Sequence, residues 1–194
     1  MKVSIITAVL NRVDTIEDCI RSVQSQTYKN IEHIIIDGGS NDGTLEIIKK
    51  YQNKITKILS EPDSGIYDAL NKGLKLATGD IIGFLHADDI YSSNDVLEKV
   101  IYVFTKHNVD SCYGDLAYVD KNNTDKVVRY WKSSEYKEGS FKFGWHPPHP
   151  AFFVKKWVYD KYGGFNTDFK ISSDYELMLR FLEKYKIRTY YISE

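Results

Sequence analysis

The sequence predicts an α/β fold in which helices flank a mainly parallel sheet, with a small antiparallel portion toward the carboxyl end. Over residues 1–105, short apolar runs alternate with segments whose apolar residues recur at helical spacing, as expected for βα units. After residue 105 the apolar runs are spaced as a hairpin. Acidic residues follow two of the runs directly, and parallel sheets bind ligands beyond the carboxyl ends of their strands.

Composition excludes several classes of protein. A chain of 194 residues with 42% hydrophobic and 27% charged residues has the size and composition of one globular domain. Its net charge of -1 gives no electrostatic basis for binding nucleic acid. No apolar run approaches the roughly 18 residues that cross a membrane, and the chain starts in a strand pattern, not a signal peptide. Cys19 and Cys112 lack metal-ligand spacing, so we expect reduced thiols in a cytoplasmic protein.

The first βα unit begins with a strand over Val3–Ala8. Asp14 and Glu17 lie three residues apart and form a capping-box pattern for the next helix. The strand-to-helix junction can hold a nucleotide through its backbone groups, and Arg12 suits a phosphate contact or a solvated loop equally well. The candidate nucleotide contacts in this unit are Thr7, Ala8, Asn11 and Arg12.

The second unit has a strand over Ile31–Ile36, and Asp37 follows it immediately. A carboxylate in that position can accept the imide N–H of uracil. Glycines in the next loop permit a tight turn before a helix. Asp42 is a second candidate nucleotide contact, although Asn-Asp-Gly is a turn sequence in its own right and Asp42 can instead cap the helix.

The third unit has a short strand over Ile55–Leu59, expected near the sheet edge, and then an amphipathic helix. Gly73 lies on the apolar stripe of this helix, where glycine costs roughly 1 kcal/mol against alanine. Close packing against the next strand would explain that cost. Tyr67, Asp68 and Asn71 can face the nucleotide, or form a plain surface.

The strand Ile81–Leu85 is apolar throughout, as in a strand buried on both faces, and it leads into Asp88 and Asp89. Adjacent carboxylates at the end of a parallel strand suit a hard cation with a phosphate ligand. The alternative is a solvated loop in which Asp89 or Ser92 caps the helix that starts near Asn94.

Beyond the helix Val96–Phe104, the strand-like stretches Ser111–Val119 and Lys126–Trp131 predict a hairpin. The stretch Trp145–Pro150 holds two histidines among three prolines, which restrict the backbone. His149 can approach a pyrophosphate or a metal, and Trp145 can stack on a sugar beside His146. A lone loop histidine more commonly has no special role.

The last segments are a short helix over Lys155–Tyr162, an amphipathic helix from Ser173–Asp174 and a strand over Ile187–Ile192. An aspartate in the first turn of a helix is favoured by the helix dipole, so capping is one explanation of Asp174.

Five sequence blocks, in this order, resemble the family 2 glycosyltransferases of the GT-A fold. They are Ser4–Ala8, Asp37–Thr44, Asn71–Gly73 with Ala77–Gly79, Phe84–Asp89 and Ser173–Asp174. The block Ser64–Gly73 is similar to members that build bacterial surface polysaccharides, of the colanic-acid type.

The resemblance implies an inverting transfer of a sugar from a nucleotide donor, UDP-linked, to a hydroxyl of a glycan or lipid-linked saccharide. It implies a base or ribose contact at Asp37, a Mn²⁺ or Mg²⁺ ligand at Asp88 and a general base at Asp174. His149 is a further candidate metal ligand, and the candidate acceptor or sugar contacts are Asp89, Trp145 and His146. His86 stands where the family often has another carboxylate, and Ser173 where it often has glutamate.

On this basis we expect one domain over residues 1–194, with a nucleotide-binding half over 1–105 and an acceptor-binding half over 106–194. A lipid-linked acceptor would bring the protein to the inner face of the cell membrane. Two alternatives are a nucleotidyltransferase acting on sugar phosphates and a non-catalytic glycan-binding module. The first requires a glycine-rich phosphate loop after the first strand, and Ala8–Asp14 contains no glycine.

Overall fold

The computed structural model describes residues 1–193 and confirms the α/β class. Among these residues, no helix combines the length and apolar character needed to cross a bilayer. The strands are β1 Val3–Val9, β2 Ile31–Asp37, β3 Lys57–Ser60, β4 Ile81–Phe84, β5 Ser111–Tyr113, β6 Leu116–Asp120, β7 Asn123–Trp131, β8 Phe152–Lys155 and β9 Thr189–Tyr191. The helices are α1 Ile16–Gln24, α2 Thr44–Lys50, α3 Ile66–Leu76, α4 Val96–Lys106, α5 Lys156–Tyr162 and α6 Ser173–Leu179, which continues as a π-helical turn over Arg180–Lys184.

Seven strands form one sheet in the order β3-β2-β1-β4-β8-β5-β9. β1 pairs in parallel with β2 on one side and with β4 on the other, and β3 lies at the edge, as predicted. Successive strands are therefore added on one side of β1 up to β3 and on its other side from β4 onward. Such a change of side leaves a crevice between the loops that follow β1 and β4, and ligands of open α/β sheets bind at that crevice. β8 is antiparallel to β4, so the turn that precedes β8 lies at the same sheet edge as the end of β4.

The two faces of the sheet are covered by different helices. Ile6 faces the cluster that contains residues of α3, α5 and α6, whereas its neighbour Ile5 faces residues of α1 and α4. This division follows from the alternation of side chains along a strand. Both Cys19 and Cys112 are buried and free.

The predicted capping box does not form. α1 begins at Ile16 without a side-chain cap. The Glu17 carboxylate instead accepts hydrogen bonds from Arg21 and Tyr51, each at 2.6 Å. Glu17 is thus paired with Arg21 one turn further along the same helix and with Tyr51, which the tertiary fold brings to it.

The predicted strand Ser111–Val119 is two strands. β5 joins the main sheet, and β6 begins after Gly114 and pairs with β7 as a separate two-stranded sheet. The sequence reading did not identify β8, which lies between β4 and β5. The hairpin was therefore predicted correctly, but the central antiparallel strand was missed.

Gly73 lies where α3 packs closely on the sheet, as predicted. The strand that it contacts is β1, however, and not β4, the strand that leads into Asp88 and Asp89. A Cβ built on Gly73 meets Ile6 Cγ2 inside the 3.0 Å below which real Cβ atoms essentially never come. Glycine is less favourable than alanine in a helix, but its lack of a side chain lets α3 pack directly against β1.

Glu32 lies near the amino ends of the parallel strands, on the side of the sheet opposite to the crevice. Its side chain is only 1% exposed and accepts hydrogen bonds from Ser4 Oγ at 2.6 Å and from the Thr78 backbone at 2.7 Å. Lys2 Nζ lies 3.1 Å from the carboxylate. Burial raises the pKa of Glu32, but these hydrogen bonds outweigh it and lower the pKa to about 2.

We expect Gly73→Ala to lower the free energy of unfolding by about 1 to 3 kcal/mol, because the new methyl group overlaps Ile6. Urea unfolding measures this change. The matched control is Gly114→Ala, because a Cβ there has its nearest neighbour at 3.9 Å. Equal stability of the two variants would contradict the close approach.

We expect Glu32→Gln to lower the free energy of unfolding at pH 7 by roughly 2 to 3 kcal/mol. The folded pKa lies below the ordinary value of 4.5, so the contribution is complete above that value and disappears as the pH falls toward 2. Denaturant unfolding at several pH values measures it. Exposed Glu135→Gln is the control, and a difference from wild type that did not depend on pH would contradict the assignment.

Candidate active site

The loops after β1 and β2 are joined by hydrogen bonds at the crevice. The Asn11 backbone N–H donates to Ser40 Oγ at 2.9 Å, and the Asn41 N–H donates to Asn11 Oδ1 at 3.0 Å. The Arg12 N–H donates to Thr44 Oγ1 at 2.8 Å. Asn11 adopts φ 51°, a left-handed conformation that asparagine tolerates. These bonds hold both loops in one arrangement and leave the Arg12 guanidinium at the crevice.

Asp37 ends β2 and is fully buried, with 0% exposure. Ser60 Oγ donates to its Oδ2 at 2.6 Å, and the Ser40 N–H lies 3.2 Å from both carboxylate oxygens. A ligand base would reach Asp37 only by taking the place of one of these donors or by sharing the carboxylate with them.

Asp42 is engaged within its own loop. Its Oδ1 accepts from Thr44 Oγ1 at 2.6 Å and from the Thr44 N–H at 3.0 Å, and its Oδ2 accepts from the Val13 N–H at 3.1 Å. The bonds from Thr44 lower the pKa of Asp42. The carboxylate therefore stays ionised and links the loops that follow β1 and β2.

Thr7 and Ala8 belong to β1 and are buried. Thr7 Oγ1 lies 3.1 Å from His33 Nε2, so its side chain is bonded within the protein core. Ala8 is part of the apolar cluster beneath α3. What these two residues can offer to a ligand is the backbone at the end of the strand.

Arg12 and Asp88 come from different loops and meet at the crevice. Arg12 Nε lies 3.9 Å from Asp88 Oδ2, and both side chains are more than half exposed. Asp89 is less exposed, and its N–H donates to the His86 carbonyl at 3.0 Å. Burial raises the pKa of Asp89; His86 opposes this shift and the like charge of Asp88 adds to it. The loop after β4 therefore carries one solvated carboxylate and one that is costly to ionise.

His149 lies beside the end of β4, where the antiparallel pairing of β8 brings it. Its ring stacks on Phe84 with centroids 5.5 Å apart and lies 6.0 Å from the His86 ring. Burial, with a contribution from His86, lowers the pKa of His149 to about 4, and Asp174 acts in the opposite direction. The imidazole is thus neutral at pH 7.

Asp174 lies in the first turn of α6, where the helix dipole favours an acidic residue, but the N-cap is Ser172 and the helix has no side-chain capping hydrogen bond. Tyr67 Oη donates to Asp174 Oδ1 at 3.0 Å. The sequence left Tyr67 either facing the nucleotide or on a plain surface, whereas the structure joins it to a residue 107 positions away. The ring of Phe165 stacks on Tyr67 at 5.5 Å and meets His149 at 5.6 Å, so these rings form one wall.

Trp145 and His146 lie among a further group of aromatic rings. Trp145 Nε1 donates to Ser134 Oγ at 2.9 Å, and its partly buried ring packs against Tyr113, Tyr136 and Phe141. His146 contacts Trp131 at 5.1 Å and Tyr175 at 5.3 Å, edge to face in both cases. Through Tyr175, the neighbour of Asp174, His146 connects the β6–β7 hairpin to α6.

Asp68 and Asn71 lie apart from the crevice loops. Both line a groove between α3 and α5. Asp68 accepts from the Ser64 N–H at 3.0 Å. The Asn71 amide bonds the Phe165 backbone twice, at 2.8 Å to the carbonyl and 2.9 Å from the N–H. In this arrangement Asn71 holds the Phe165 loop.

The carboxylates in the loop after β4 could take part in binding a divalent cation. Within residues 1–193 no group of three or more histidine, cysteine or acidic side chains converges as a protein-only metal site. Mg²⁺ commonly keeps several waters and uses one or two carboxylates together with substrate phosphates. Asp88 is solvated, and its ion pair with Arg12 is long, so its oxygens remain available. The residues present therefore fit a site that a bound diphosphate would complete.

Comparison with known proteins adds independent findings. The family model described as Glycosyl transferase family 2 matches residues 4–162. An uncharacterized glycosyltransferase of Mycobacterium tuberculosis is 34% identical over 184 residues, which are 92% of this chain and 68% of the relative.

Solved structures share the fold. TarS of S. aureus superposes with a TM-score of 0.83 at 21% identity, covering 100% of this chain and 35% of TarS. TarS 1-349 in complex with UDP gives a TM-score of 0.77 at 20% identity, covering 100% of this chain and 61% of that one. Mannosyltransferase PcManGT from Pyrobaculum calidifontis, in complex with GDP-Man and Mn2+, gives 0.75 at 20% identity, with 100% and 55% covered. The chain thus spans about a third to three fifths of these solved proteins.

Proposed function

Since the chain belongs to glycosyl transferase family 2 and is a glycosyltransferase with the GT-A fold, we propose that it transfers a sugar from a nucleotide donor with inversion. The donor is UDP-linked, and the acceptor is a hydroxyl of a glycan or lipid-linked saccharide, which would be reached at the cytoplasmic face of the membrane. The observation that carries the proposal is the meeting of Arg12 and Asp88 at the crevice, beside a wall of rings in which Phe165 contacts both His149 and Tyr67, the hydrogen-bond donor to Asp174.

Nucleotide binding is assigned to the loops after β1 and β2. Asp37 receives the uracil or ribose, since it ends the strand beside β1, and Arg12 contacts a phosphate. Thr7, Ala8 and Asn11 contribute backbone groups, and Asp42 holds their loop in place. UDP in the TarS complex supports a uridine donor. Asp68 and Asn71 belong to the supporting structure of α3, and their nucleotide contact remains a prediction.

The metal is assigned to Asp88, with His149 as a candidate second ligand. His149 suits this role because its pKa of about 4 keeps the imidazole neutral at pH 7. A bound Mn²⁺ or Mg²⁺ would supply positive charge for the departing diphosphate. Mn2+ in the PcManGT complex supports the choice of cation. Asp89, Trp145 and His146 remain on the sugar and acceptor side of the proposal.

Asp174 is assigned as the general base. In a single displacement, the acceptor oxygen bonds to the anomeric carbon while the bond from that carbon to the diphosphate oxygen breaks. The hydroxyl proton passes to the Asp174 carboxylate, and the bonding pair leaves with the nucleoside diphosphate. Attack on the face opposite the leaving group inverts the anomeric configuration.

We expect Asp88→Ala to lose the metal-dependent part of donor binding, because the carboxylate that shares the cation with the diphosphate is gone. Thermal shift with UDP-glucose, UDP-GlcNAc and GDP-mannose, each with Mn²⁺ or with EDTA, measures this and selects the donor. Asp125→Ala, in the exposed hairpin, is the matched control. A wild-type shift that EDTA left unchanged would refute the metal assignment, and no shift with any nucleotide would refute the donor class.

We expect Asp174→Asn to reduce turnover by about 100-fold or more, since general-base catalysis contributes roughly 10²–10⁴-fold. Donor binding should remain, because Asp174 lies in the first turn of α6 and not in the loops after β1 and β2 that are assigned to the nucleotide. Release of nucleoside diphosphate from the selected donor, with water as acceptor, measures turnover, and calorimetry measures binding. Asp168→Asn, exposed in the preceding loop, is the control. Wild-type turnover in Asp174→Asn would reject the base.

A further inference from the structure

Tyr67 and Asn71 lie four residues apart on α3, so they occupy one face of the helix. Tyr67 donates to Asp174 Oδ1 at 3.0 Å, and Asn71 bonds both backbone groups of Phe165. Phe165 in turn stacks on Tyr67 at 5.5 Å. One helix face of the nucleotide half therefore holds both the candidate base and the loop that leads to it.

The loop before α6 is fixed by further bonds. Arg180 donates to the carbonyls of Tyr162, Gly163 and Gly164. Ser173 Oγ donates to the Asn166 carbonyl at 2.9 Å. These bonds set the position of the α6 backbone. The Asp174 side chain has a separate partner, the hydroxyl of Tyr67.

The hydroxyl of Tyr67 also faces the start of α6. Burial raises the pKa of Tyr67 and the Asp174 charge adds to this shift, while the backbone N–H groups of Asp174 and Ser173 oppose it. The phenol thus stays protonated at neutral pH and acts as a donor. A donor held on Oδ1 restricts rotation of the Asp174 carboxylate.

We propose that Tyr67 is a positioning residue that orients the Asp174 carboxylate toward the acceptor. The proposal rests on the proposed function, since it requires Asp174 to be the base. Hydrogen bonds to charged groups and correct orientation of a reacting group each contribute to rate. Loss of this bond should therefore lower kcat and leave donor affinity unchanged.

The test is Tyr67→Phe in the donor-hydrolysis assay, with water as acceptor. We expect kcat to fall roughly 10- to 100-fold, while the donor KM and the calorimetric affinity for UDP stay within about twofold. The matched control is Tyr191→Phe, which removes a tyrosine-to-aspartate hydrogen bond of 2.7 Å, to Asp115 Oδ1, outside the site. The control should keep wild-type kcat.

A double-mutant cycle separates positioning from general support of the fold. If Tyr67 acts through Asp174, adding Tyr67→Phe to Asp174→Asn should change the residual rate less than twofold. A full additional decrease, or a fall in kcat no larger than that of Tyr191→Phe, would overturn the proposal. Melting temperatures of both tyrosine variants show whether they remain folded at the assay temperature.

The outcomes also separate this proposal from the proposed function. An inactive Asp174→Asn with an unaffected Tyr67→Phe overturns the positioning role alone. A fully active Asp174→Asn overturns the base assignment and the positioning role with it. An inactive Asp174→Asn with a slow Tyr67→Phe and a normal Tyr191→Phe supports both.

Discussion

The parallel pairing of β1 with β2 on one side and β4 on the other is the constraint on which the rest depends. Because these strands are parallel, their amino ends lie together on one side of the sheet and their carboxyl ends on the other, and the two sides differ in charge. Where the strands begin, Glu32 is satisfied by Ser4, Thr78 and Lys2 and is closed to solvent. Where they end, Asp88 is solvated and has Arg12 only at 3.9 Å. The first side stabilises the fold, and the second leaves charge available for a ligand.

α3 contacts both the central strand of the sheet and the segment that carries the candidate base. Gly73 brings the helix onto β1, and Tyr67 and Asn71 reach the segment that carries Asp174. The loop before α3 also contacts Asp37, the candidate nucleotide contact, because the Glu61 N–H donates to the Asp37 carbonyl at 3.0 Å. The candidate base is thus bonded to α3, and the candidate nucleotide contact is bonded to the loop that leads into α3.

The sequence predicted what local patterns determine. Apolar runs and helical stripes located β1 to β4 and α1 to α4, because each is set by periodicity and burial. β8 was missed because Phe152–Lys155 is short and becomes a strand only through its partners β4 and β5. The capping box failed because Glu17 gained Arg21 and Tyr51 as partners. The bond between Tyr67 and Asp174 joins residues too distant for any local signal, so only the fold could reveal it.

The place of β8 limits how this chain can be divided. A strand from the later half lies hydrogen-bonded between β4 and β5, so the later half supplies the neighbour that β4 needs on one side. A fragment ending near residue 105 would leave β4 as an open edge, with Phe84 stripped of the rings of His149 and Phe165. Open edges of apolar strands invite aggregation. Chimeras that exchange acceptor segments with relatives should therefore keep Phe152–Lys155 from the parent that provides β4, and place their junctions in the exposed β6–β7 hairpin.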